Sequence, residues 1–262
     1  MNELEHSTQQ IKSYFDIEGR LSNSSFKYYR ECSARAYAAQ TGEYIRPNSS
    51  ALIEGSYVDE MLFETTQTVD ISSLYKKDGD LKKANEYLKT IVQDVKNDPI
   101  FWKFLEGDYQ QQKLFEINGI PWKGKLDVMP THFSDMIVDF KTAAKIDDWM
   151  FSERFGARVP FIYARGYDIQ GALYCEAWGK QRFTLAIATK QTPSGRYIIE
   201  IPKEMLTNAL EYVKAHQELV FSQMQGENLE YCKSPDCAYC RGKRPTVIGM
   251  ADIFVPKEET PF

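Results

Sequence analysis

Apolar positions along the chain repeat with two different periods, and the change from one to the other predicts a mixed α/β fold. Helical spacing dominates the N-terminal part, where serines stand at positions suited to capping. The middle of the chain changes to alternating or continuous apolar runs, which are typical of strands, and the first two are joined by an Asn-Gly turn. The predicted elements of this part are helices at residues 26–40, 51–64 and 81–98 and strands at residues 111–117, 122–129 and 135–143.

The second half of the chain continues the same mixture of elements. We expect helices at residues 147–154, 161–178 and 204–225 and a hairpin formed by residues 183–190 and 197–201. This order predicts one α/β domain over residues 1–262, with a mixed central sheet flanked by helices. Within it, residues 21–65 form a helical N-terminal arm, and a cysteine-rich segment at residues 228–245 is expected to pack back on that arm.

Composition sets broad limits on the class of protein. The 262 residues are 43% hydrophobic and 26% charged, as in an ordinary soluble protein that buries a sizeable core. No apolar run approaches the roughly 20 residues of a membrane span, and the N-terminus lacks a secretory signal, so we expect a cytoplasmic protein and no membrane partner. The net charge of −5 counts mildly against a nucleic-acid partner, although basic residues can still gather on one local surface.

The candidate chemistry lies in residues 119–141. Asp139 and Lys141 stand two positions apart on a predicted strand, so they emerge on one face while Phe140 enters the core. Hairpin pairing with the preceding strand brings Asp127 alongside them. Two carboxylates and an amine on one sheet face make a site for a hard divalent cation and a phosphate.

Taken alone, an Asp-x-Lys pair is more typical of an ordinary surface ion pair than of a catalytic site. The context supports the catalytic interpretation, because Asp127 lies twelve residues before Asp139 and an amide–phenol pair follows on a predicted helix. Gln170 and Tyr174 are one helical turn apart on the same face, where they can contact a DNA backbone or the lysine. A buried aromatic helix would explain the same two residues.

The order D…(D/E)-x-K followed by Q-x3-Y resembles the PD-(D/E)XK nucleases, specifically their RecB/RecE-like branch of phage-type exonucleases. The early segment SNSSFKYYREC resembles the S-x-S-x(4–5)-Y-x2-C opening of that branch, and ALIEGSYVDEML resembles its G-x3-H helix. The resemblance extends over residues 21–241. It implies a restriction-endonuclease-like core and a site that uses Mg²⁺ or Mn²⁺.

The resemblance also assigns roles to residues. The catalytic set that it implies is Asp127, Asp139, Lys141, Gln170 and Tyr174. The two aspartates would be metal ligands together with the backbone carbonyl of Phe140.

One position of the motif departs from the family pattern. Asp59 stands where the family usually has a histidine. A carboxylate oxygen suits a hard cation at least as well as imidazole does, so Asp59 is a candidate ligand. The alternatives are that the neighbouring Glu60 reaches the site, or that both acids belong to a solvated helix face.

Four of the five cysteines form a second candidate site. Cys232, Cys237 and Cys240 lie within nine residues, and the family resemblance joins Cys32 to them. Some members of the branch hold a [4Fe–4S] cluster with one early and three late cysteines, but the C-x4-C-x2-C spacing here departs from theirs. Four thiolates suit iron–sulfur or structural Zn²⁺ equally, and free thiols are the third alternative. Cys175 lies in an apolar helix and is expected in the core.

The leading functional hypothesis is a metal-dependent DNA exonuclease that acts in phage or prophage recombination or in DNA repair. The resemblance implies linear duplex or single-stranded DNA ends as substrate and a single-strand annealing protein as partner. Relatives gain processivity from ring-shaped oligomers, so a homo-oligomer is compatible with this hypothesis. The alternatives are a catalytically inactive DNA-end-binding or assembly protein with the same fold, and a CRISPR-adaptation-type nuclease.

Overall fold

A computed structural model describes residues 17–64, 69–234 and 236–243. Residue 65 of the predicted arm and residues 235, 244 and 245 of the cysteine-rich segment lie outside the described residues. The chain divides into two compact units, a larger one of Met1–Asn23 and Pro47–Gln217 and a smaller one of Ser24–Arg46 and Glu218–Phe262. The single domain expected from sequence, with its arm and returning segment, stays a prediction.

A five-stranded mixed sheet forms the centre of the larger unit, with strand order β1-β4-β5-β8-β9. Its strands are β1 (Gly107–Tyr109), β4 (Val128–Pro130), β5 (Met136–Ala143), β8 (Arg182–Thr189) and β9 (Arg196–Glu200). β5 and β8 run parallel, whereas the other neighbouring pairs are antiparallel. The two antiparallel hairpins outside this sheet are β2 (Gln112–Ile117) with β3 (Ile120–Lys125), and β6 (Trp149–Ser152) with β7 (Ala157–Pro160).

Helices are distributed before, between and after these strands. They are α1 (Asn23–Glu31), α2 (Ser33–Gln40), α3 (Ser50–Phe63), α4 (Tyr87–Lys96), α5 (Pro99–Leu105), α6 (Phe161–Ala164), α7 (Tyr167–Trp178), α8 (Lys203–Met224) and α9 (Ala238–Lys243). The expected mixed α/β architecture, with a central sheet and flanking helices, is confirmed. None of the described helices combines the length and apolarity that crossing a membrane requires.

Strand β5 lies at the middle of the sheet and separates two layers of side chains. Its even-numbered residues, among them Val138 and Phe140, join the apolar core that α3, α4 and α5 build on one face. Phe140 is buried, and its ring meets that of Phe63 at a centroid distance of 5.8 Å. Asp139 and Lys141 therefore share the other face, as the strand period predicts, and α7 packs there as the crossover from β5 to β8.

Several predicted elements have different boundaries or types in the structure. The helix expected at residues 147–154 is wrong, because this segment forms the β6–β7 hairpin, whose turn includes Gly156 at φ +64°. The helix expected at residues 161–178 is interrupted at Gly166, which has φ +64°. The strand expected at residues 122–129 is split into β3 and β4. The helix expected at residues 26–40 is split at Cys32, which caps α2.

Close packing between α7 and β8 depends on a glycine. A Cβ atom at Gly171 would lie 2.4 Å from Cδ1 of Phe183 and 2.9 Å from Cδ2 of Leu206. Both neighbours belong to the core, so neither can move away without disturbing it. Helix α7 can approach the sheet this closely only because position 171 has no side chain.

Gly171→Ala should therefore lower the free energy of unfolding by about 1–3 kcal/mol through overpacking, despite the helix propensity of alanine. The matched control is Gly55→Ala in α3, where the new Cβ would lie 3.6 Å from Oγ1 of Thr142, an ordinary contact. This control should be neutral or more stable by up to about 1 kcal/mol. Urea denaturation measures both variants, and equal behaviour of the two would contradict the packing argument.

Candidate active site and cysteine site

Asp127 reaches the central strand through β4. The pair Val128↔Val138 places the residue before β4 beside β5, and the Phe140 N–H donates to Oδ2 of Asp127 at 3.2 Å. The expected antiparallel partner of β5 therefore exists. It is the short strand β4, whereas β3 pairs with β2. The bend at residues 126–127, between β3 and β4, directs the Asp127 carboxylate towards β5.

The Lys141 ammonium contacts three oxygen atoms. Its Nζ lies 2.6 Å from Oδ2 of Asp139, 3.4 Å from Oδ2 of Asp127 and 3.0 Å from the carbonyl oxygen of Phe140. Burial lowers the pKa of Lys141, but the Asp139 and Asp127 carboxylates raise it well above its ordinary value. The lysine therefore remains a cation at neutral pH.

Asp139 is fully buried, which is costly for a carboxylate unless cations and donors face it. Gln170 Nε2 donates to its Oδ1 at 2.8 Å, and Lys141 faces Oδ2. Burial raises the pKa of Asp139 and the Asp127 charge raises it further, whereas the Lys141 charge lowers it, with a net value of about 7. The raised pKa means that burial is only partly offset by Lys141, so a further cation at this position would favour the ionised form of Asp139.

Gln170 and Tyr174 lie together on α7, as their spacing predicts. Both are buried, at 8% and 7% exposure, and Gln170 Nε2 is 3.4 Å from the Tyr174 hydroxyl. That hydroxyl donates to the carbonyl of Lys125 at 2.6 Å, at the end of β3. In this structure the two side chains contact protein atoms, so they orient Asp139 and the β3 end. Contact with DNA stays a prediction.

Asp59 lies near the charges of Asp127, Asp139 and Lys141. Burial raises its pKa well above the ordinary value, the Asp127 and Asp139 charges raise it further, and Lys141 lowers it. Glu60, the alternative, lies on another side of α3. Burial raises the pKa of Tyr57 and of Tyr75, and the nearby Glu60 charge raises both further. The position of Asp59 favours it over Glu60 as the acid near the site, and its role as a ligand stays a prediction.

Sequence reasoning missed two residues of this site. The Tyr167 ring centroid lies 5.9 Å from Lys141 Nζ, and Lys125 interacts with the charges of Asp59 and Asp127. Both left a signal in the sequence: Tyr167 precedes Gln170 by three residues on the same helix, and Lys125 precedes Asp127 by two. Neither position belongs to these short motifs, so the motifs alone do not select Tyr167 or Lys125.

The donor set fits a hard divalent cation. The oxygens of Asp127, Asp139 and Phe140 already surround a positive charge, that of Lys141, and Mg²⁺ or Mn²⁺ prefers such oxygen ligands. In this structure the Lys141 ammonium contacts these same oxygens, so an ion bound by them would take the place of the ammonium.

The four predicted cysteine ligands come together in the smaller unit. The sulfurs of Cys32, Cys232, Cys237 and Cys240 all lie within 4.8 Å of one another, and all but Cys232 are buried. Cys32 is placed by its capping position, where its sulfur accepts from the Arg35 N–H at 3.5 Å. A cluster of four cysteine sulfurs is therefore present, as expected. Cys175 lies apart from it in α7, partly buried.

The environment of the thiols differs from one sulfur to the next. Burial raises the pKa of Cys232 to about 11. Burial also raises the pKa of Cys237, but hydrogen bonds from Cys240 and Cys232 and the Arg35 charge lower it to about 7. Arg35 Nη1 lies 3.8 Å from the Cys237 sulfur. A thiolate at Cys237 is therefore stabilised at neutral pH. The thiolate is the form in which a cysteine binds a metal.

A mixed sheet whose central strand carries an acid and a lysine beside a second acid defines the class of PD-(D/E)XK nuclease folds. A family model described as "PDDEXK-like domain of unknown function (DUF3799)" matches residues 22–243. The chain belongs to this PDDEXK-like family, and the resemblance derived from its motifs is confirmed. No curated protein matches the chain.

Two solved structures resemble the chain to different degrees. A "putative exonuclease" from Eubacterium rectale is 26% identical with a TM-score of 0.78, and the match spans 96% of this chain and 99% of that chain. A phage-related exonuclease from Haemophilus somnus 129PT is 14% identical with a TM-score of 0.41, over 79% of this chain and 86% of that chain. The second likeness is too distant to carry an argument.

The raised pKa of Asp139 predicts a pH effect on stability. Between about pH 4 and pH 7 the unfolded chain has lost the Asp139 proton and the folded chain keeps it, so this residue makes stability fall as pH rises. Asp139→Asn removes this effect. With no divalent cation added, the variant should gain stability relative to the parent from pH 4 to pH 7, as measured by thermal unfolding. A pH-independent difference would contradict the assignment.

Proposed function

We propose that this protein is a divalent-metal-dependent DNA exonuclease that hydrolyses phosphodiester bonds. The observation that carries the proposal is the convergence of Asp127, Asp139 and the Phe140 carbonyl on the Lys141 ammonium. The Eubacterium rectale structure, which carries the name exonuclease, supports the class of reaction over nearly the whole chain.

The ligands proposed for Mg²⁺ or Mn²⁺ are Asp127, Asp139 and the Phe140 carbonyl, with Asp59 as a further candidate. When bound, such an ion polarises the phosphate and stabilises charge on the leaving oxygen. Gln170 holds the Asp139 carboxylate in place through its amide, so the ligand does not have to be ordered when substrate arrives.

Lys141 acts beside these ligands. Its side chain is 26% exposed, so the site is open enough for Lys141 to meet a phosphate and an attacking water. A group with a raised pKa holds its proton, which suits it to neutralise the developing charge and to orient the water by hydrogen bonding. The Tyr167 ring limits the positions that the ammonium can take.

The biological setting of the proposal follows from the sequence motifs. A RecE-like enzyme acts in phage or prophage recombination or in DNA repair, at linear duplex or single-stranded DNA ends in the cytoplasm. A single-strand annealing protein would take up its product, and a homo-oligomer would supply processivity. The four cysteines hold a structural metal centre, either iron–sulfur or zinc.

Lys141→Ala should reduce degradation of end-labelled linear DNA about 100-fold or more with Mg²⁺ or Mn²⁺, because it removes an ammonium that contacts both aspartates. Circular dichroism should show an unchanged fold. Lys214→Ala is the matched control, since that lysine pairs with Glu211 on α8. Equal activity of the parent and Lys141→Ala would contradict the catalytic assignment. Circular DNA is assayed in parallel, because an exonuclease needs a DNA end and an endonuclease does not.

The second candidate is a DNA-end-binding or assembly protein that has lost catalysis. One observation favours it, namely Asp59 at the position where the family usually has a histidine. The retention of Asp127, Asp139 and Lys141 in one cluster counts against it, because an inactive protein has no need to keep three charges in a costly partly buried arrangement.

Calorimetric titration with Mn²⁺ separates the two candidates. The parent should bind Mn²⁺, and Asp127→Asn should weaken this binding about tenfold or more by replacing a charged ligand with a neutral one. Asp135→Asn is the control, because this aspartate is 53% exposed and pairs with Arg182. A parent that binds no Mn²⁺ would favour the inactive protein.

A further inference from the structure

The spacing of the four cysteine sulfurs carries information about the metal. The Cys32 and Cys240 sulfurs are 3.3 Å apart, those of Cys232 and Cys240 are 3.6 Å apart, and every pair lies within 4.8 Å. The sulfurs therefore surround a space of single-ion size.

A single tetrahedral ion requires such a spacing. Zinc–sulfur bonds are about 2.3 Å long, so the sulfurs of a regular ZnS4 tetrahedron are about 3.8 Å apart. The observed separations of 3.3 and 3.6 Å and the upper bound of 4.8 Å bracket this value. A Zn²⁺ ion fits with no sulfur–sulfur separation changing by more than about 1 Å.

The [4Fe–4S] cluster implied by the family resemblance does not fit this arrangement. In a cubane each thiolate binds a different iron at its own corner, so the four sulfurs stand well outside the metal atoms and much further apart. Enlarging the site would have to move Cys32 away from its capping position. It would also disturb the hydrogen bonds that join Ser33 to the backbone of Glu230 in the same unit.

We propose that Cys32, Cys232, Cys237 and Cys240 bind one structural Zn²⁺ ion and not an iron–sulfur cluster. Thiolates are the ligands that closed structural zinc sites use, and four sulfurs fill the tetrahedral coordination of zinc and leave no open position for chemistry. This inference rests on the proposal that the cysteines hold a metal, and it does not depend on nuclease activity.

Arg35 supplies the charge that this site needs. Four thiolates and one Zn²⁺ carry a net charge of −2, and the guanidinium lies 3.8 Å from the Cys237 sulfur. The guanidinium is fixed by Glu31 at 2.7 Å and by the Tyr28 ring at 4.7 Å. A permanently charged donor in this position lowers the cost of assembling four thiolates.

The consequence for the fold is a link between distant parts of the chain. Cys32 and the three later cysteines are about 200 residues apart in sequence, yet they belong to one compact unit. Closing so long a loop gives a metal a large stabilising effect in principle, and structural zinc contributes roughly 10 kcal/mol or more in zinc-finger peptides. The ion is therefore expected to be needed for the smaller unit to fold.

The test is metal analysis of the full chain, produced in medium containing both iron and zinc and purified without oxygen. We expect one zinc per chain, no acid-labile sulfide and a colourless protein. Replacing the zinc with Co²⁺ should produce the visible absorption bands of a tetrahedral thiolate site. Cys240→Ser should lose most of the zinc, whereas Cys175→Ala, which changes the cysteine outside the site, should keep it.

Iron and sulfide at four each per chain, with the brown colour of a cluster, would overturn the inference. A protein isolated without metal is reconstituted in parallel with Zn²⁺ and with Fe²⁺ plus sulfide, and failure to take up one zinc would overturn it equally. Nuclease activity is measured on the same samples. A zinc-loaded but inactive protein would leave this inference intact and count against the proposed function.

Discussion

The ion pair between Lys141 and the buried Asp139 is the interaction on which the candidate active site depends. The Asp139 carboxylate, at 0% exposure in the central strand, is stabilised by the ammonium that faces one oxygen and by the Gln170 amide that faces the other. The alternation of β5 sends Phe140 into the opposite layer, so the same strand completes the core and presents the charges. Residues of one strand therefore contribute both to the stability of the core, through Phe140, and to the candidate active site, through Asp139 and Lys141.

The elements around β5 supply the groups that face these charges. β4 supports Asp127, whose carboxylate accepts from the Phe140 N–H. Helix α7 approaches closely because Gly171 has no side chain, and its Gln170 and Tyr174 then reach Asp139 and the end of β3. Such a network is expected at a functional site, where titratable groups with perturbed pKa values gather.

The two candidate metal sites differ in the softness of their ligands. The first offers carboxylate and carbonyl oxygens, which select hard cations such as Mg²⁺ or Mn²⁺, and the second offers four thiolates. Each set of ligands lies within one compact unit. Two such sites would select different ions and would not compete for the same one.

Strong periodicity and motif order made the fold class, the Asp139–Phe140–Lys141 alternation and the four-cysteine grouping predictable from sequence. Local breaks were not predictable: the β6–β7 hairpin and the interruption at Gly166 depend on backbone conformations that neighbouring packing selects. Short aromatic segments such as residues 149–152 fit a helix or a strand equally well until their partners are known.

Residue type and spacing determined which side chains share a face, because strand and helix periods fix this, and the family resemblance then assigned them to the two candidate sites. Tertiary structure decided what each of them contacts. It made β4 the partner of β5, turned Gln170 towards Asp139, placed Tyr167 beside Lys141 and set the cysteine sulfurs at single-ion spacing. Distances between residues far apart in sequence arise only when the core packs, since no local period encodes them.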